Sequence, residues 1–463
     1  MSAAVIPKIG AAESGARELY SEYVNPQWVR LLNLLQMNVR YTRCSGAELY
    51  TEGGGRILDC LSGYCVHNTG HNHPSVVAAL QRELEASGPG MLQSHVPETA
   101  GELAARLSSL AGGRLRRVFF CSSGSEGVEA AIKFSRAYTG RAGLLYGESA
   151  FHGLTCGALS LMSDPFWTEG FGPMLPGTEA LPVGRVVDLQ RLEERLATKK
   201  FAAFIVEPLQ SEAGIRVFDP GYLRDAQALC RRYGTLFVLD EVQTGLYRTG
   251  PFLAAHRYGL DPDIVILAKA LSGGLVPVGA VLMSEAVSSA VYSSLKRAIV
   301  HTSTFSESGL AMRAGLATLD VLESERLGER AERLGAWLRE RLTEALAPYE
   351  MVKEVRGLGM LSGIEFAAPR SLRLRIAFES FRRIHPAMFG QVLIMRLFRD
   401  HGILTQICGN NFMVLKVAPP LVVTESQLAE VVEAIRRAVE LAHTSTSFWS
   451  EALGLARRAV NIS

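Results

Sequence analysis

A chain of 463 residues, 48% apolar and 20% charged, has enough apolar material for a large core and room for up to about three domains. Its 48 basic and 46 acidic residues leave a formal net charge of +2, too weak a field for electrostatic capture of nucleic acid. The seven cysteines form no C-x-x-C pair or complete disulfide framework, the N-terminus lacks a basic-then-apolar leader, and no apolar run approaches the ~20 residues of a spanning helix, so the chain reads as cytoplasmic.

Taken in chain order, residues 1–70 are expected to contribute to a smaller domain. From 71 to 333, short apolar runs alternate with longer amphipathic segments, the texture of an α/β sheet with crossover helices. The predicted strands are Val118–Cys121, Gly143–Tyr146, Ala203–Glu207, Leu236–Asp240, Asp263–Leu267 and Val278–Met283. They are rich in Val, Ile, Leu and Phe on both faces, as strands covered by helices on both sides are. Between two of them, GYLRDAQALCRRYG (Gly221–Gly234) has helical periodicity and a C-terminal glycine stop. A helix-rich stretch from about Gly309 to Ala347 reads as a long connector. Residues 334–463 then read as a small α+β domain, its last helix opened by Thr424 and Gln427 at the spacing of a capping box.

The chemistry sits where these strands end. Asp240 closes LFVLD and Lys269 follows DIVILA, so a carboxylate and an amine meet at the carboxyl edge of the sheet, where open α/β sheets place ligands. The pair reads either as a salt bridge or as the acid and amine needed by a cofactor with a pyridine nitrogen and an aldehyde. In VFFCSSGSEGVEAAIK, a strand runs into a Ser/Gly turn and a helix near Ser125. Ser123, Gly124 and Ser125 there suit either plain N-capping or a phosphate held on open backbone N–H groups. Phe151-His152-Gly153 follows another strand, and its aromatic ring suits core packing or stacking on a planar ring. His71 and His73 lack further ligands at metal spacing and read as structural, so no metal site is expected. The serines lie in no G-x-S-x-G elbow.

LSGYCVHNTGHNHP, SSGSEGVEAAIK, FHG, IVEPLQSEAG, VLDEVQTG, LAKALSGG, HTSTF and VRGLGM, in this order from about Asn25 to the final helix, closely resemble the class III aminotransferases. These are pyridoxal-5′-phosphate (PLP) enzymes of fold type I, including ornithine and putrescine aminotransferases. The resemblance implies an α/β large domain with a mainly parallel seven-stranded sheet plus a smaller α+β domain. It also implies transamination between an amine or amino-acid donor and a 2-oxo acid, 2-oxoglutarate/glutamate above all, with ping-pong kinetics.

By the same resemblance, Lys269 matches the Schiff-base lysine and later general base, and Asp240 the partner of the pyridinium nitrogen. Gln243 falls near the phenolic oxygen, Val242 beneath the ring and Phe151 above it, with His152 beside it. Ser123, Gly124 and Ser125 match the phosphate turn. Thr304 matches a residue that reaches the phosphate of a neighbouring subunit, which implies a homodimer with shared active sites. Glu207 and Glu212 match two family glutamates. Arg356 matches an arginine for a substrate carboxylate, with Glu212 as the gate that covers it, although the two also read as a structural ion pair. Racemases, aminomutases and decarboxylases of the same class are the alternative, and a catalytically dead dimer used for binding is a more distant one.

Two features depart from the pattern. Leu49 stands where ornithine-type enzymes align a tyrosine, whereas Tyr64 keeps the other substrate-side tyrosine, and SES follows HTSTF in place of glycines. The segment 369–400 is also longer, more apolar and more basic, with Arg373, Arg375, Arg382, Arg383, Arg396 and Arg399 among Leu, Ile, Phe and Met. Packing on the small domain is the favoured reading; contact with a membrane surface or a cover over an apolar substrate pocket are the others.

Overall fold

Seven strands build the central sheet of the computed structural model, which describes residues 15–92, 94–384 and 387–460. They are β1 (Leu115–Cys121), β2 (Gly143–Gly147), β3 (Thr178–Leu181), β4 (Phe201–Val206), β5 (Leu236–Asp240), β6 (Ile264–Leu267) and β7 (Gly279–Ser284), in the order β1-β7-β6-β5-β4-β2-β3. Only β7 runs against its neighbours β6 and β1; the other pairings are parallel. Strands β2, β4, β5 and β6 are buried along their whole length, which is why they read as continuous apolar runs. The periodicity analysis omits β3. Its sequence TEAL lies at the sheet edge, half-buried, and carries neither an apolar run nor a clean alternation.

Two helices of the large sheet show how local sequence sets the frame. Helix α1 (Gly124–Thr139) starts where the Ser123 side chain accepts the Glu126 N–H, and stops at Gly140 in the left-handed region (φ 67°). Helix α2 (Tyr222–Tyr233) is bounded by Gly221 and Gly234, both at positive φ, as its flanking glycines suggest.

Helices α3 (Gly309–Ser324) and α4 (Leu327–Leu346) follow, and α4 runs unbroken through position 334. Beyond it, β8 (Val352–Leu358), β9 (Leu361–Phe366), β10 (Gln406–Cys408) and β11 (Asn411–Val417) form an antiparallel sheet in the order β8-β9-β11-β10. The N-terminal strands Tyr41–Ser45, Glu48–Thr51 and Arg56–Asp59 make a separate sheet with Ile403–Leu404, which pairs parallel to Arg56–Asp59. The first part of the chain is thus hydrogen-bonded into the last.

The basic, apolar segment divides into α5 (Leu372–Ile384) and α6 (Met388–His401). Helix α6 buries Phe389, Val392, Leu393 and Phe398 and packs against α7 (Glu425–Thr444) and α8 (Thr446–Val460). Its Arg396 and Arg399 are paired with Asp400 and Glu451. Helix α5 lies further out, with Leu372, Arg373, Arg375, Ile376 and Arg383 exposed; the Arg382 side chain and His385–Pro386 lie outside the described residues. Among the described residues no helix is long and apolar enough to cross a membrane.

Candidate active site

Parallel strands deliver their carboxyl ends to one edge, and there β5 and β6 are neighbours with Asp240 level with Ile266. Asp240 and, two residues beyond β6, Lys269 therefore emerge side by side. They line one cavity of about 560 Å³ together with Ser123, Gly124, Ser125, Phe151, His152, Glu207, Glu212, Val242 and Gln243. That volume is ordinary for a cofactor site.

Lys269 adopts φ +45°, an uncommon conformation for a residue with a side chain, at the start of a 3₁₀ turn. Among the described residues nothing hydrogen-bonds its amine. Burial holds it below the usual lysine value, with Asp240 opposing. Asp240 accepts the Val242 N–H at 3.1 Å through Oδ1, while its Oδ2 lies 2.8 Å from His152 Nδ1. Burial would lower the His152 imidazole, but its hydrogen bond to Asp240 and that carboxylate's charge outweigh it and hold it above its ordinary value. Glu207 sits behind, fully buried, accepting the N–H groups of Phe151 (3.1 Å) and Ser211 (3.3 Å). Burial lifts its carboxyl to about 7, with His152 opposing. Its position anchors the Phe151–His152 segment from beneath.

The Ser123–Ser125 turn is shaped by close approach. A Cβ on Gly124 would lie 3.0 Å from Val242 Cγ2, and one on Gly153 (φ +122°) would lie 2.2 Å from Ser125 Oγ. Glycine is the residue that lets these backbones converge. The Ser123 side chain is spent on the Glu126 N–H, and the start of α1 at Gly124 and Ser125 lines the cavity, a setting that favours an anion.

The expected Glu212–Arg356 pair is not formed. Arg356 lies on the edge strand β8, where alternation places it on the same face as Glu354 and diagonal to Glu365 of β9. It is ion-paired to both and donates to the Gly214 carbonyl, so it is held behind Gly214 and outside the cavity lining. Two carboxylates opposite each other on adjacent strands would repel, and Arg356 together with Lys353, 2.7 Å from Glu365, neutralises them.

Glu212 is instead ion-paired with Lys416, a fully buried residue near the end of β11 whose register partner on β9 is Gly363. Glu212 also accepts the Gln243 amide at 3.2 Å and the Gly409 N–H at 2.9 Å. Burial opposes both charges, yet their attraction wins, holding the carboxyl below and the ammonium above their ordinary values. The Lys416 amine lies 5.3 Å from the centre of the Tyr64 ring. Lys416 is legible in principle: a lysine inside the apolar run MVLKVA poses the same question as Lys269 at the end of VILAK.

Thr304 is exposed and lines a second cavity of about 650 Å³ with His95, Arg117 and Tyr292, away from Lys269. His71 Nε2 lies 2.7 Å from Asp59 Oδ2, and His73 caps a helix by accepting the Ser75 N–H.

Whether these residues suit PLP can be judged from what they leave unsatisfied. His152 Nε2 and Gln243 Oε1 are buried polar atoms without a partner among the described residues. Beside them stand an unpartnered amine, an anion-seeking helix start, and Val242 and Phe151 as apolar surfaces. Each is a demand that a flat, charged, phosphorylated aldehyde would meet.

The family described as aminotransferase class-III matches residues 33–439. The chain belongs to the class III aminotransferases. Their cofactor is PLP, and fold type I accounts for the seven-stranded sheet. Among relatives, the aminotransferase PigE of Serratia sp. is 34% identical over 458 residues, covering 91% of this chain and 53% of that protein. This chain therefore spans about half the length of PigE. A putrescine aminotransferase of Pectobacterium atrosepticum is 36% identical over 425 residues, covering 89% of this chain and 86% of that protein. Among solved structures, an (S)-enantioselective omega-transaminase from Thermomicrobium roseum matches with a TM-score of 0.82 at 30% identity, covering 94% of this chain and 100% of that one. An ornithine aminotransferase from Toxoplasma gondii, with PLP at its active site, matches with a TM-score of 0.79 at 29% identity, covering 94% and 99%.

Proposed function

We propose that this class III aminotransferase moves an amino group between an amine or amino-acid donor and a 2-oxo acid, with 2-oxoglutarate and glutamate as the acid pair. The observation that carries the reading is the buried, unpartnered Lys269 amine beside Asp240 in one cavity. PLP, when bound, supplies an aldehyde for amine exchange and an electron-withdrawing ring that acidifies the substrate Cα–H.

This chain's residues do the rest. Lys269 would hold the cofactor through its amine, and that amine, once released and kept below the usual lysine value by burial, would take the substrate Cα proton and return it to the carbon on the far side of the amino nitrogen. Asp240, steadied by His152, keeps a proton on the ring nitrogen. Val242 and Phe151 would hold the ring faces, Gln243 would meet the phenolic oxygen, and Ser123, Gly124 and Ser125 would hold the phosphate.

Glu212 and Lys416 take the gating role in place of Glu212 and Arg356. While an amine occupies the site, Glu212 neutralises Lys416; when a dicarboxylic 2-oxo acid enters, Glu212 turns away and its carboxylate replaces it. The buried Lys416 charge is then never left unpaired, which would be costly. Tyr64 borders this subsite. The working unit is a cytoplasmic homodimer in which Thr304 completes the phosphate site of the partner subunit.

An absorbance titration tests the reading. PLP-loaded protein is expected to absorb near ~420 nm, and glutamate to move the band to shorter wavelength, with Lys269→Ala abolishing both. A band that glutamate leaves unchanged overturns glutamate as donor and shifts weight to an isomerase or decarboxylase. No band in PLP-supplemented protein overturns the whole proposal.

A further inference from the structure

Next to the ring-clamping Phe151, the chain builds an aromatic ridge that the transamination machinery leaves unused. The Trp167 indole stands edge-on to Phe151 at 5.1 Å between ring centres, Phe166 stands edge-on to Trp167 at 4.7 Å, and Phe412 lies 6.4 Å from Phe166. The ridge thus starts at the cavity wall and ends at the surface, where Phe166 is 66% exposed. Its inner end adjoins the gate: a Cβ on Gly409 would lie 3.2 Å from both Trp167 Cζ2 and Glu212 Oε2.

The ridge is held in place by a polar frame. Trp167 Nε1 donates to Asn410 Oδ1 at 2.7 Å, and Asn410 Nδ2 donates to the Ser149 and Ala150 carbonyls at 2.8 and 3.3 Å. The Asn410 backbone N–H donates to the Glu212 carbonyl at 2.9 Å. One short loop between β10 and β11 therefore ties Trp167, the approach to Phe151 and the gate together. With its single donor satisfied, the indole offers only apolar surface.

Charge in the cavity points the same way. Among the described lining residues, Asp240 and Lys269 belong to the cofactor, Glu207 is held by two backbone N–H groups, and Glu212 is neutralised by Lys416. Among the described residues lining the cavity no further acid remains to receive a second ammonium; Asp164 and Glu169, at the two ends of the short helix that carries Phe166 and Trp167, lie outside that lining.

We infer that the amine substrate of this site carries an extended apolar tail, an aliphatic chain of roughly six carbons or more or an arylalkyl group, laid along Phe151, Trp167 and Phe166. The inference rests on the transaminase reading and specifies its non-acidic partner. In the net reaction the amine's C–NH₂ and C–H bonds become C=O, while the 2-oxo acid's C=O becomes H–C–NH₂. The two-electron oxidation of one substrate balances the reduction of the other, with water lost and regained, so no outside oxidant is needed.

The test is a kcat/KM series on PLP-loaded enzyme with propylamine, hexylamine, octylamine, 3-phenylpropylamine and putrescine, 2-oxoglutarate being the acceptor. Each buried methylene is expected to add about two- to fourfold, so octylamine should exceed propylamine and putrescine by tenfold or more. Trp167→Ala and, independently, the surface change Phe166→Ser should pull the octylamine/propylamine ratio toward one, and Trp167→Phe should restore most of it. A flat chain-length series, a preference for putrescine, or an unchanged ratio in both variants overturns the inference. So does a change of oligomeric state without a change of ratio, which would make the ridge a subunit contact. The glutamate-induced band shift of the unsubstituted enzyme, run in parallel, separates this failure from failure of the transaminase reading.

Discussion

Two lysines and two acids carry the site, and each owes its state to its immediate surroundings. Among the described residues Lys269 makes no hydrogen bond or ion pair; Lys416 is more deeply buried and bound to Glu212. The Glu212 carboxyl lies below its ordinary value of 4.5, so its contribution to stability is present above that value and lost as pH falls through the folded one. The Lys416 ammonium is raised above its ordinary 10.5, so its contribution is present below that value and lost as pH rises through the folded one. The pair is therefore intact between about pH 4.5 and 10.5. Lys416→Met should destabilise the protein by about 3–5 kcal/mol at pH 8, where Glu212 is left charged and buried. At pH 5 the stranded carboxyl takes up a proton and the deficit should shrink. Urea unfolding at both pH values checks this, and an equal deficit at each would mean that Glu212 is hydrated rather than buried. The same variant should raise KM for 2-oxoglutarate far more than KM for the amine.

At the scale of elements, local rules act where they are short in range. Thr424 and Gln427 form the reciprocal cap of α7 that their spacing implies, at 3.2 and 2.9 Å. Strand ends are equally local where an apolar run meets a charge, and Asp240 ends β5 at the expected residue. Where Phe151 meets the phosphate turn, by contrast, the constraint is a meeting of two loops. Gly153→Ala would both force a side chain onto φ +122° and drive a methyl into Ser125. It should weaken PLP binding about tenfold or more and also destabilise the cofactor-free protein by about 1–3 kcal/mol. Fluorescence titration with PLP reads the first effect; unchanged affinity would mean that the turn yields without cost. Edge strand β3 shows the opposite limit, because a half-exposed strand has no period strong enough to stand out.

Across the whole molecule, the ends of the chain are joined by more than the strand pairing at Arg56–Asp59. Arg248 is completely buried and donates to Asn68 Oδ1, the Met360 carbonyl and the Pro419 carbonyl, at 3.1, 3.0 and 2.5 Å for its first contact with each. One guanidinium thus staples three distant stretches together. Thr304 extends the same logic beyond one subunit: it is exposed, and its cavity lacks Lys269. The protein is expected to run as a dimer in light scattering. Mixing Lys269→Ala with Thr304→Ala subunits should give heterodimers in which the single site retaining Lys269 is paired with an intact Thr304 from its partner. PLP affinity at that site should match the unsubstituted protein, whereas Thr304→Ala homodimers bind more weakly. Equal affinity in both would remove Thr304 from the partner's phosphate site.

The sequence by itself determined the parts whose causes lie within a few residues. These are the buried strands, the capped helices, the Asp and Lys at neighbouring strand ends, and the serine-glycine helix start. Their signals are period, composition and turn chemistry, which need no partner to be read. Only the tertiary structure decided who faces whom. It turned Arg356 toward Glu354 and Glu365, gave Glu212 to Lys416, carried Trp167 to Phe151, and kept Thr304 out of its own subunit's site. Such pairings depend on strand register and loop approach, across some two hundred residues for Glu212 and Lys416, and a one-residue change of register reverses the face on which a side chain lies.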